Sequence, residues 1–309
     1  MMLARHSARF ALMVALCLGI CACSSDNAPP VAPAAAGASS DAASAERGKY
    51  LVDAANCIGC HTDKKHNGLP FAGGGAIATS FGLYYSRNIT PDPIFGIGAW
   101  SDQDFLRALR RGISPSGTHY FPAFPFPSFT GMTDRDILDI RAYLLTQKPA
   151  PVANEPHDVA FPYDVRSTML FWRLLYFNEG PLAPIPGESP EWNRGSYLVN
   201  AVGHCGECHT PRNALGALDA DRRFAGSKLA DGKRVPNITS DTTDGIGKWS
   251  VDDIVSLLKY GATPSFDFVQ APMSEVVEGT SKLSEADRKA IAIYLKSLTP
   301  LPGKGERPS

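Results

Sequence analysis

The sequence has no excess of either charge, no apolar run long enough to cross a bilayer comfortably, and few strand signals. Lysine and arginine number 30 against 31 acidic residues, a formal net charge of −1. That balance excludes the clustered basic footprint of a nucleic-acid binder. The apolar stretch ALMVALCLGICA is only twelve residues long, short of a transmembrane helix. Sparse alternating patterns argue against a sheet-built core. Usable cysteine is scarce too. Of seven, Cys17, Cys21 and Cys23 lie in or beside that stretch, leaving Cys57, Cys60, Cys205 and Cys208. Glycine (28) and proline (25) are plentiful, which predicts long loops. A length of 309 residues with 44% hydrophobic content suits about two domains.

Residues 1–22 read as a bacterial lipoprotein signal. Arg5 and Arg9 precede the apolar run, which ends in ICAC, making Cys23 the lipid-modified first residue. An ordinary secretory signal cut near Ala22 is the alternative. Either exports the chain to the periplasm, and lipid would hold it at a membrane. Residues 23–45 are rich in Pro, Ala and Ser without an apolar period and predict a flexible tether.

The rest repeats itself. RGKYLV (47–52) matches RGSYLV (194–199), NIT (88–90) matches NIT (237–239), and GIGAWS (96–101) matches GIGKWS (245–250). The offset drifts only from 147 to 151, so two related domains are expected at 46–148 and 193–300. A linker (149–192) lies between them and a tail (301–309) follows. Each copy predicts three helices. One runs into a cysteine motif (46–55; 193–202). One follows Ser101-x-x-Asp104 or Ser250-x-x-Asp253, and one follows Thr133-x-x-Asp136 or Ser284-x-x-Asp287. Gly112 and Gly261 are the expected stops of the middle helices. RSTMLFWRLLYF in the linker predicts a short apolar helix pinned across both domains.

The cysteine motifs are NCIGCHT (56–62) and HCGECHT (204–210). A helical turn puts residues three apart on one side. Two thiols so placed add to the two vinyl groups of a haem, and the adjacent histidine lies under the ring to ligate iron. Zinc would need both pairs to meet, yet each sits in its own repeat with its own histidine. A redox pair would need a βαβ setting, and disulfides do not account for the grouping. The reading is therefore two covalently bound haem c groups, on Cys57, Cys60 and His61 and on Cys205, Cys208 and His209. The haem also fills cores that three short helices leave thin. Met273 in QAPMSEV is the expected sixth ligand of the second iron. At the corresponding offset of 149 the first repeat has Phe124. Its sixth ligand is thus open between Met132, His119 and a water-bound or vacant position. Trp100 and Trp249 are candidates to pack on the haem edge. Asn88, Thr90, Asn237, Thr239 and Arg212 are candidates either for haem propionates or for loop capping. His66 and His157 read as solvated.

CHTPRN, APMSEVVEG, AIAIYLKSL, EWNRGSYLV and HYFPAFPFPSF resemble the cytochrome c subunits of bacterial membrane-bound alcohol and gluconate dehydrogenases. They are also similar to the related periplasmic dihaem cytochromes. The resemblance spans about residues 46–300. It implies an all-α chain of two tandem class I cytochrome c domains with long Gly/Pro-rich loops, and an electron carrier rather than an enzyme. The implied donor is a dehydrogenase, and the implied acceptor is an oxidase or another cytochrome. His61, His209 and Met273 carry over as axial ligands and the four cysteines as attachments. Those subunits carry three haems where this chain has two motifs, and their first domain has Met where Phe124 stands. A haem enzyme with an open first haem, peroxidase-like or sulfur-compound-oxidising, is the second reading.

Overall fold

A computed structural model describes residues 38–302. The signal reading for 1–22, the lipid site at Cys23 and most of the tail lie outside the described residues. The first helix, α1 (Ala38–Ala54), starts eight residues before its expected start at 46, so 38–45 of the expected tether is helical. Ala42, Ala43 and Ala45 are strong helix formers, and Ser44 Oγ donates to Asp139.

After α1 come a single turn, α2 (Cys57–Cys60), and an antiparallel hairpin, β1 (Ala76–Thr79) and β2 (Gly82–Tyr85). Then follow α3 (Asp102–Arg111), α4 (Phe126–Phe129) and α5 (Asp134–Leu145). The linker supplies β3 (Asp158–Val159) and α6 (Thr168–Tyr176). The second half runs α7 (Pro190–Tyr197), a π-helical turn (Leu198–Val202), α8 (Gly206–His209), β4 (Ser227–Lys228), β5 (Arg234–Val235), α9 (Val251–Tyr260), α10 (Met273–Thr280) and α11 (Glu285–Ser297). The all-α expectation needs this correction: the described residues are mainly helical with two small antiparallel sheets, ordered β1-β2-β3 and β4-β5. Strands of two to four residues are too short to register as a period, and β3 reaches β2 from far along the chain, pairing Gly82 with Val159 and Leu83 with Asp158.

Local signals set the helix ends. Ser101 and Asp104 form a reciprocal capping box on α3, and Ser250 and Asp253 form another on α9. Thr133 and Ser284 accept from the amides of Asp136 and Asp287 to start α5 and α11. Gly112 and Gly261 cap the C-termini of α3 and α9. In each half the first helix packs on the last, α1 on α5 and α7 on α11. A glycine makes each crossing close. A Cβ on Gly48 would stand 1.8 Å from Asp139 O, and one on Gly195 2.0 Å from Ala290 O, so no larger residue fits without moving backbone.

The halves also exchange contacts reciprocally. Tyr50 on α1 donates to Asp287 Oδ2 at 2.6 Å and accepts from Ser284 N at 3.0 Å. Tyr197 on α7 donates to Asp136 and accepts from Thr133 N at 3.1 Å. Helix α10 lies against α1, and α4 lies against the π-helical turn. One buried cluster draws on both halves, including Val52, Ile137 and Leu144 with Val199, Val202 and Ala292.

Helix α6 has one buried side chain. Trp172 is buried, meets Phe126 edge-on at 6.4 Å and donates Nε1–H to Leu215 O at 3.0 Å. It thereby touches both halves. The opposite face is open: Phe171 is 73% and Leu174 82% exposed. Leu174→Asn should therefore change the unfolding free energy by no more than about 0.5 kcal/mol, measured by urea titration. A larger loss would mean that this face is covered within the folded chain.

Candidate haem sites

Each cysteine motif is built alike. Helix α1 ends in Ala54 and the chain turns at Asn56, whose φ of 49° is left-handed. The corresponding turn in the second half is His204, at φ 40°. The helical turn that follows puts the two cysteines of each pair on one side. His61 N donates to Cys57 O at 2.9 Å and His209 N to Cys205 O at 3.0 Å. None of the four cysteines is paired in a disulfide. Burial pushes Cys57 and Cys205 up to about 12, and the partner cysteine of each pair adds to the rise. Among the described residues no three or more His, Cys, Asp or Glu side chains gather as a metal cluster, so the two pairs do not converge on one zinc position.

The histidines are oriented identically. His61 Nδ1 lies 2.6 Å from Arg87 O and His209 Nδ1 2.7 Å from Pro236 O. A carbonyl only accepts, so Nδ1 carries the proton and Nε2 is left as the coordinating nitrogen. Burial lowers both imidazole pKa values, against the pull of those carbonyls, and keeps the rings neutral, the form a metal takes.

His61, Cys57 and Cys60 open onto a cavity of about 1090 Å³. Small-molecule and cofactor pockets commonly hold about 300–1,000 Å³, so a porphyrin fits. Its walls are largely aromatic and aliphatic, including Trp100, Phe105, Tyr120, Phe124 and Phe129. This is the core space that the three helices leave unfilled. Two contributors were not read from the sequence. The linker supplies Trp172 and Met169, and the second half supplies His204, Glu207, Cys208 and Arg212. His204 Nε2 donates to Ala55 O at 3.2 Å, beside the first motif. Its place directly before Cys205, opposite Asn56 in the repeat, was the available signal.

In the second half His209 is buried, and Met273 is half-buried as the first residue of α10, after Pro272. Trp100 lines the first cavity, and Trp249 packs on the shared core. Phe124 lines the first cavity, whereas Met132 and His119 do not. Met132 is fully buried in the core, with its carbonyl held by Arg110 at 2.7 Å.

The remaining candidates divide clearly. Asn88 is committed to loop capping: Oδ1 accepts from Thr90 N and Oγ1, and Nδ2 donates to Ala150 O at 2.8 Å. Asn237 does the same with Thr239 and Leu301 O. Arg212 is held by Glu207 Oε2 at 2.5 Å and Gly216 O at 2.7 Å. His66 is exposed beside Asp63, as expected. His157 is not solvated. It accepts Tyr85 N–H at Nδ1 (3.1 Å) and packs on Tyr84, because β3 draws it into the sheet. Burial, then Arg87 and Arg166, press its pKa down to about 4.

A cytochrome c family model matches residues 45–148. A dihaem cytochrome c-type protein of Cereibacter sphaeroides is 43% identical over 257 residues, covering 82% of this chain and 85% of the relative. The cytochrome c subunit of the quinone alcohol dehydrogenase of Gluconobacter oxydans is 38% identical over 271 residues, with 85% and 56% covered. The gluconate 2-dehydrogenase cytochrome c subunit of Pantoea cypripedii is 40% identical over 266 residues, with 82% and 59% covered. The chain thus spans most of the first relative and little more than half of the two dehydrogenase subunits. Paired thiols on a helical turn, a neutral histidine aimed by a carbonyl and an apolar cavity beneath it agree with these likenesses: the chain belongs to the cytochrome c family of electron-transfer proteins.

Proposed function

We propose that this chain is a dihaem cytochrome c of the periplasm, anchored to a membrane through lipid on Cys23. It passes electrons from a dehydrogenase to the respiratory chain, through an oxidase or another cytochrome. Two tandem class I domains, 46–148 and 193–300, each hold one haem c. Cys57 and Cys60 attach the first and Cys205 and Cys208 the second. His61 and His209 present Nε2 to the iron, and Met273 presents its thioether to the second. The bound haem supplies a reversible one-electron iron couple, and a thioether ligand raises its potential. The protein's part is to hold the imidazoles in one tautomer and to keep water from the ring. The observation that carries the reading is the same histidine Nδ1–carbonyl geometry beside both cysteine pairs.

The test is intact mass and a redox titration of protein purified from the membrane fraction. The expected result is the mass of two haems plus acyl chains on a polypeptide beginning at Cys23, with two one-electron waves. A polypeptide without haem mass overturns the cofactor reading. A haem-loaded chain without acyl groups overturns only the anchor.

A further inference from the structure

We infer that the distal side of the first haem is a binding site for a small exogenous ligand, with Phe124 leaving the sixth coordination position to that ligand and Tyr120 donating a hydrogen bond to it. The inference rests on haem occupying the first cavity, as proposed above.

Four observations carry it. Phe124 stands where the repeat offset places Met273 in the other half, and it lines the first cavity. A phenyl ring offers iron no lone pair. The groups able to replace the missing thioether are placed elsewhere or engaged. Met132 is enclosed in the core and His119 is off the cavity wall. His157 accepts at Nδ1 from Tyr85 N–H, so its Nε2 is protonated. His204 donates Nε2–H to Ala55 O at the cysteine end.

Met169 of α6 also lines the cavity. It packs against Phe126, Trp172 and Ala217. Phe124 packs both on that group and on the main core, and the Met169→Leu variant below tests whether Met169 takes the position that Phe124 leaves.

The fourth observation is Tyr120. Its ring meets that of Phe124 at 5.6 Å, edge to face. Among the described residues its hydroxyl has no hydrogen-bond partner, and it lines the cavity. Tyr120 is half-buried and that hydroxyl is left free to donate to a ligand held in the cavity. The surroundings, Phe124, Phe129 and Leu109, favour a molecule of two or three atoms, neutral or singly anionic.

The probes are carbon monoxide for the reduced holoprotein and cyanide for the oxidised one, read by absorption and by low-temperature EPR. Wild type should bind one carbon monoxide per two haems, and its oxidised form should show one high-spin and one low-spin iron. Phe124→Met should abolish carbon monoxide binding and convert the high-spin signal to low spin. Met169→Leu should leave the stoichiometry unchanged. Tyr120→Phe should weaken cyanide about tenfold or more, the scale of one hydrogen bond to an anion. Two haems by mass with no carbon monoxide bound by wild type would overturn the open site while leaving the cytochrome reading intact. Binding that appears only in Met169→Leu would make Met169 the ligand and equally overturn it. Unchanged cyanide affinity in Tyr120→Phe would remove the tyrosine from the site. Absence of haem mass would take down the underlying reading instead. Should Phe124→Met fail to fold, the wild-type stoichiometry and spin states decide alone.

Discussion

Replacing Cys57 and Cys60 together by alanine should yield a protein carrying one covalent haem instead of two, measured by intact mass. The second attachment should be untouched. The two cysteines face one side of a single helical turn, and covalent attachment needs that pair. His61 keeps its carbonyl partner, Arg87 O, in the variant, so the iron ligand survives and only the thioethers are lost. Haem then remains by coordination and apolar contact alone, and denaturation should extract it. The thermal transition should fall as well, because haem without its thioethers can leave the cavity of about 1090 Å³ on heating, and emptied core volume costs stability. His61 variants should behave differently, keeping the mass of both haems while losing the imidazole ligand at one iron. Loss of both haems in the cysteine variant would mean that the attachments are interdependent. Retention of both would refute the role of Cys57 and Cys60.

Asp287→Ala should lower the unfolding free energy by about 2 kcal/mol at neutral pH, read from urea or thermal titration. Arg194 reaches Asp287 with two nitrogens, at 2.9 and 2.7 Å, while Tyr50 donates to the same carboxylate from the other half. Removing one partner of a buried pair costs about 3–5 kcal/mol. The Arg194 side chain is 38% exposed, so solvent screening reduces that figure here. Burial raises the Asp287 carboxyl, but the Arg194 guanidinium and the Tyr50 hydroxyl outweigh it and hold the group below the ordinary carboxylate range. The sign follows. The folded state binds this proton less readily than the unfolded state, whose value is about 3.9. The stabilisation is therefore full above about pH 4 and is lost as pH falls through the lower folded value. Asp287→Asn should flatten this part of the acid limb. A wild-type acid limb unchanged in that variant would refute the assignment. Asp136 is the repeat counterpart and bonds Tyr197 without a bidentate arginine, so its alanine variant should cost less.

The difference between those two aspartates shows where sequence reading stops. Both were legible as N3 acids of capped helices, because a cap involves residues three apart. That each also receives a tyrosine from the other half was not legible, since the partners lie 237 and 61 residues away. The same division runs through the haem sites. Cysteine spacing and the following histidine are contiguous and were read directly. The carbonyls that aim the imidazoles sit 26 and 27 residues on, in loops with no motif of their own. Asn88 and Asn237 show a choice that the sequence left open. Both are polar residues of a repeated loop, equally suited on paper to a propionate or to a turn. Their side chains bond the segments that leave each half, at Ala150 and Leu301.

What the sequence by itself determined is everything encoded over a few residues: two Cys-x-x-Cys-His units, the repeat that carries them, capped helices that frame them, and Phe124 in place of a methionine. Tertiary structure alone decided which distant groups complete the sites. It brought the linker strand to the hairpin, Trp172 and Met169 to the cavity wall, and His204 of one half beside the motif of the other. The physical reason is one of range. Covalent spacing and helix caps act over three or four residues, whereas a cavity wall forms wherever apolar surfaces from anywhere in the chain can be buried together.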